Sequence, residues 1–80
     1  MTEAVLKPLS EISRDERVRI VDVAGDDAIG IRLMEMGLTP GVEVELLGAA
    51  PLGDPLEFAV RGYRLSLRRN EAARVSVERI

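Results

Sequence analysis

The stretch Arg32-Leu33-Met34-Glu35-Met36-Gly37-Leu38-Thr39-Pro40-Gly41 decides how the chain is built on either side of it. It has the pattern of a last helical turn, a stop signal and a tight turn into a strand. A helix that ends in the left-handed conformation needs a residue without a Cβ, and Gly37 stands at that place. Leu38 then follows the stop and can fold back onto Leu33, the apolar contact that accompanies such an ending. Thr39-Pro40-Gly41-Val42 fits a type II turn, in which proline presets φ at the second position and glycine supplies the positive φ at the third. Val42-Glu43-Val44-Glu45-Leu46 continues at once with strict two-residue alternation, the pattern of a half-buried strand.

Upstream, residues 2–7 carry little signal and are expected to fray. Pro8 to Ile12 reads as one helical turn with proline near its start, its Leu9 and Ile12 pointing the same way. Ser13 to Glu16 is a polar turn. Arg17-Val18-Arg19-Ile20 alternates, but Val21 and Val23 break the phase, which a β-bulge explains. Gly25-Asp26-Asp27 opens a helix, with either aspartate able to cap it. The helix is expected from about Asp27 to Met36, with Ile29, Leu33 and Met36 on its core face. Gly30 inside it costs roughly 1 kcal/mol relative to alanine. Close approach to a neighbouring element or a flexible first turn would account for it.

Downstream, Gly48 to Pro55 reads as a loop and as the segment of greatest mobility. Leu56, Phe58 and Val60 alternate inward, Arg61-Gly62 makes a two-residue hairpin turn, and Tyr63, Leu65 and Leu67 are expected to return inward. Asn70 to Ala73 is read as a 3₁₀ turn begun by Asn70, before a closing strand with Val75 and Val77. About five short strands with one helix between the first and second result, and closing so small a sheet into a barrel removes its exposed edges.

Eighty residues correspond to one domain, 1–80, with a small core. An apolar fraction of 46% argues against disorder. The chain has neither cysteine nor histidine, so the thiolate and imidazole ligands of transition metals and the commonest general base at neutral pH are missing. No apolar run reaches the roughly 20 residues of a membrane span, and the N-terminus lacks the pattern of a signal peptide. A cytoplasmic protein without direct membrane insertion is expected. The net charge of −3 is unevenly spread: residues 1–60 carry 5 basic and 12 acidic side chains, residues 61–80 carry 6 arginines and 2 glutamates. Such polarity can orient a docking partner.

Arg-Leu-Met-Glu-Met-Gly-Leu-Thr-Pro-Gly followed by Val-Glu-Val-Glu resembles the helix-and-turn motif of the FeoA family of small ferrous-iron transport proteins. Ala50 to Pro55 is similar to that family's loop, Val60 to Arg69 to its second hairpin, and Glu71-Ala72 to its short turn before the last strand. The likeness runs from about Pro8 to Ile80, although the Pro-Gly pair that such proteins often carry near residues 13–16 is missing. The implied fold is mainly β, a small SH3-like barrel. The implied function is that of an accessory protein that docks on the cytosolic G-protein-like domain of a FeoB-type membrane iron transporter and modulates uptake. Similar domains also end iron-dependent repressors. Eighty residues are not expected to hold a DNA-reading helix-turn-helix as well.

The residues themselves argue against catalysis. Ser66 and Ser76 have no histidine to activate them, Gly48 to Gly53 lacks the Lys-Ser/Thr step of a phosphate loop, and Glu43 with Glu45 reads as a solvated strand face rather than a catalytic pair. Proline-rich peptides require an aromatic groove, and single-stranded nucleic acid requires stacking aromatics; with one Tyr and one Phe the chain offers neither. Apolar docking remains. Met34, off the core face, and Leu38, at the helix end, either pack inside or form a contact surface, and the resemblance favours contact. Arg61 and Arg64 would orient the partner. No resident cofactor or metal site is expected. The alternative function is a divalent-metal sensing or delivery module that uses carboxylates, the remaining hard oxygen donors.

Overall fold

The computed structural model describes residues 6–25 and 27–80. The elements are β1 (Lys7–Pro8), a 3₁₀ turn (Leu9–Glu11), β2 (Arg17–Val23), α1 (Ala28–Glu35), β3 (Glu43–Ala49), β4 (Leu56–Val60), β5 (Tyr63–Leu67), α2 (Arg69–Ala72) and β6 (Val75–Arg79). The strands form one antiparallel sheet in the order β1-β6-β2-β3-β4-β5. It curls around Leu9, Val18, Ile20, Leu33, Val44, Phe58, Val60, Leu67, Val75 and Val77, all buried. This is the mainly β, SH3-like barrel expected, with a sixth strand. The extra strand is β1, where Lys7 pairs with Val77 and Pro8 with Ser76. Of the stretch expected to fray, residues 2–5 lie outside the described residues, and Lys7 is held in the sheet.

Local signals account for most of the path. Gly37 has φ +103°, the Gly37 amide donates to Met34 O at 3.0 Å, and the Leu38 amide donates to Leu33 O at 3.2 Å. These are the two bonds that close a helix through a left-handed residue. Gly41 has φ +94° and the Val42 amide reaches Thr39 O, completing the type II turn. The Ile20 amide then donates to Val42 O, and the Gly41 amide to Ile20 O, each at 2.8 Å, which sews the turn onto β2. The register between β2 and β6 slips between Ile20 and Asp22, as the broken alternation predicts.

Other expectations are corrected. A second register shift lies between Leu46 and Gly48, and beyond it Gly48 and Ala49 still pair with Glu57 and Leu56. The loop therefore spans only residues 50–55. It is pinned: the Ala50 amide donates to Pro55 O, the Gly53 amide to Ala50 O, and Arg69 donates through Nε to Gly53 O. The last turn is α-helical and begins after Arg68, not at Asn70; Glu71 Oε1 accepts the Arg68 amide at 2.9 Å. Ile29 is on the flank of α1 and exposed, since Gly30 and Leu33 take the buried face.

Candidate docking surface

Helix α1 has eight residues, and its seating decides what it displays. A Cβ on Gly30 would lie 2.1 Å from Gly25 O, so the bare glycine lets the helix rest directly on the chain that leads into it. Asp27 caps this end: its Oδ1 accepts the Gly30 amide at 3.1 Å and Arg74 Nη1 at 2.6 Å. Arg74, and after it the Gly30 amide, holds the Asp27 carboxyl below its ordinary range. Thus the segment that leads into β6 and the start of α1 are clamped together. With Gly30 and Leu33 turned inward, Ile31 (51% exposed) and Met34 (45% exposed) stand three residues apart on the outer face.

Leu38 is not part of that surface. It is fully buried, which corrects its assignment as a contact residue. The same left-handed step at Gly37 that stops the helix turns Leu38 under it and into the core.

Tyr63 joins the helix end to the β4–β5 hairpin. Its hydroxyl donates to Met36 O, and a Cβ on Gly37 would fall 2.2 Å from that hydroxyl. Gly37 thus serves twice, once for its positive φ and once for its lack of a side chain. Tyr63 was expected inward; it is instead 42% exposed and lies across the helix terminus.

In the hairpin, Arg61 and Gly62 have φ +40° and +85°, the sign pattern of a type I′ turn. Arg61 lines shallow grooves with Arg17, Gly41 and Glu43. Arg64, opposite Ala59, alternates to the other face of β5 from Tyr63. So the structure sets Arg61 and Arg64 on one hairpin, and Tyr63 ties that hairpin to the end of α1, while Arg64 lies on the face of β5 opposite to Tyr63. Across the outer sheet face, charges alternate in rows: Glu78, Arg19 and Glu43 in one, Arg17 and Glu45 in the next. Arg61, Arg64 and Arg68 make no ion pair among the described residues. Elsewhere Arg32 pairs with Glu71, fixing α1 to α2.

Sequence reasoning passed over Ile31 and Tyr63. The three-residue spacing from Ile31 to Met34 was a usable signal for the first; nothing local announced the second. No three of the described Asp and Glu residues converge on a common point where a metal ion could sit. None of the described helices is long and apolar enough to cross a membrane.

Residues 7–79 match the family model of the FeoA domain. Over 72 residues the chain is 38% identical to a protein of Porphyromonas gingivalis named as a fusion of Fe(2+) transport protein A and the Fe(2+) transporter FeoB. That stretch is 90% of this chain and 8% of the relative, so the chain spans under a tenth of that relative's length. Among solved structures, an FeoA-like protein from Clostridium acetobutylicum superposes with TM-score 0.86 at 34% identity, covering 100% of this chain and 91% of the other. A zinc-complexed FeoA from Stenotrophomonas maltophilia, described as an SH3 domain protein, superposes with TM-score 0.77 at 36% identity, covering 88% and 87%.

Proposed function

The chain belongs to the FeoA family, and on that premise we propose that it is a cytosolic accessory module of ferrous iron uptake. It docks on the cytosolic G-protein-like domain of a FeoB-type transporter and modulates the passage of iron, which is the transporter's cargo. Joining two proteins in one chain makes their meeting intramolecular, so a relative named as a fusion with FeoB supports this partner.

One observation carries the choice of surface: an exposed apolar pair, Ile31 and Met34, on a helix whose end Tyr63 ties to a hairpin with an unpaired arginine in a strained conformation at its tip. A type I′ turn favours Asn and Gly, and a left-handed non-glycine residue costs roughly 1–2 kcal/mol. Arginine at that tip gains no ion pair within the described chain to offset the strain. Strain of this kind, where structure alone gives no return, points toward function. Apolar anchors govern how slowly a partner leaves, while rim charges govern how fast it arrives.

Binding kinetics against the partner's soluble cytosolic domain test this. Met34→Ala is expected to speed release roughly tenfold, from about 1–2 kcal/mol of lost apolar burial. Arg61→Gly is expected to stabilise the free chain by about 1 kcal/mol and yet to slow capture and flatten its salt dependence. Two folded variants with the parent's rates would place the contact elsewhere.

A further inference from the structure

Strand β5 ends the sheet; among the described residues its one hydrogen-bonded neighbour strand is β4. The two-residue turn makes Val60 and Tyr63 a hydrogen-bonded pair, and pairing alternates from there. Phe58 with Leu65 and Leu56 with Leu67 therefore also exchange bonds across the hairpin. The N–H and C=O groups of Arg64 and Ser66 point the opposite way, off the edge of the sheet. Both residues are exposed, and no backbone group of the described loops or turns bonds to them. This is a row of free donors and acceptors at strand spacing, bordered by Arg61, Arg64 and Arg68, with no acidic residue between positions 61 and 70.

An open edge invites a second strand, and charge decides which. A second copy of this chain would bring Arg64 and Arg68 against the same arginines, and like charges directly opposite are unfavourable. An extended segment rich in Asp or Glu meets the same edge with main-chain bonds and carboxylate–guanidinium pairs together. We propose that the free edge of β5 takes up an extended, acidic segment of the docking partner as a seventh strand. This rests on the docking reading above and gives its partner segment a conformation and a charge.

Amide hydrogen exchange on the full chain, alone and saturated with the cytosolic domain of a FeoB-type transporter, tests the inference. The Arg64 and Ser66 amides are expected to exchange at least tenfold more slowly in the complex, while that of Leu65, already bonded to Phe58, changes little. Ser66→Pro removes a donor that faces solvent, a position where an edge strand tolerates proline, and is expected to weaken binding tenfold or more. Arg64→Glu is expected to do the same at low salt, and less so at high salt. Should Ser66→Pro not fold, the exchange rates of the unaltered chain decide the matter. Binding with no slowing at Arg64 and Ser66 overturns strand addition and leaves docking intact; absence of any binding overturns docking first. Self-association that Arg64→Glu strengthens, with slowing at the same two amides in the dimer, would give the edge to a second copy and overturn the acidic occupant.

Discussion

Gly37→Ala probes the point where helix, turn and hairpin meet. Two costs can be worked from the structure. The first is conformational: alanine at φ +103° occupies a sparsely populated backbone region, at a cost of about 1–3 kcal/mol. The second is local: the new Cβ would lie 2.2 Å from the Tyr63 hydroxyl, which must leave Met36 O and forfeit about 0.5–1.5 kcal/mol. Together they amount to about 2–4 kcal/mol, a large part of the roughly 4–12 kcal/mol expected of a domain this size. Urea unfolding should show the midpoint falling at constant slope, and the melting temperature should fall by at least about 8 °C. Tyr63→Phe separates the two costs. It removes the hydroxyl, so Gly37→Ala in the Phe background should cost only the conformational part, and the double-mutant cycle should show coupling of about 1 kcal/mol. A Gly37→Ala midpoint within about 0.5 kcal/mol of the parent would refute both the left-handed helix stop and the packing of Tyr63 over it.

Gly30→Ala should destabilise by about 1–2 kcal/mol even though alanine favours helix interiors, because its Cβ meets Gly25 O at 2.1 Å and the backbone must yield; a gain in thermal stability would show that α1 is not seated there. Leu38→Ala should cost about 2–5 kcal/mol in denaturant, the value of a buried leucine; a cost under about 0.5 kcal/mol would return Leu38 to the surface. Glu16 accepts from Lys7 Nζ, the Ser13 amide and Arg79 Nε. These bonds, that of Lys7 foremost, lower its carboxyl from 4.5 to about 2. Because the folded value is depressed, the stabilisation is full above about pH 5 and disappears as pH falls toward 2. The whole shift would be worth about 3 kcal/mol, and solvent around Lys7 and Arg79 brings that to about 1–2 kcal/mol. Glu16→Gln should therefore be less stable than the parent at pH 7 and equal to it near pH 2, as followed by urea midpoints across that range.

The parts legible from sequence are those whose geometry is set by neighbours along the chain. The helix stop and the type II turn require positive φ at Gly37 and Gly41, which sterics make costly for any residue with a Cβ, and the alternation in β3, β4 and β5 needs only the pleat of a strand. The bulge in β2 showed as a break in phase between Ile20 and Asp22, because a slip of one residue exchanges the faces. The helix ending could be read to the residue for the same reason, and so could the turn at Arg61 and Gly62. Family resemblance added the direction of function, and residues 7–79 match the model of that domain.

Tertiary structure alone decided which apolar residues serve the core and which stay exposed. Periodicity put Ile29 inside and left the side of Leu38 open. The real seating of α1 follows from Gly30, whose missing side chain rolls the helix so that Gly30 and Leu33 face inward and Ile31 and Met34 face out. Leu38 then belongs to the core, because the helix end lies over it. Tyr63 leaves the inward row because a carbonyl and a bare glycine from a segment 26 residues away offer its hydroxyl a place. Asp27 caps α1 with Arg74, far along the chain, as its second partner. The free edge of β5 exists only because β6 crosses over to lie beside β1 and β2, a matter of strand order on which no stretch of residues reports by itself. Burial and edge exposure are properties of the assembled sheet, and their energies arise from contacts between residues that the linear pattern keeps apart.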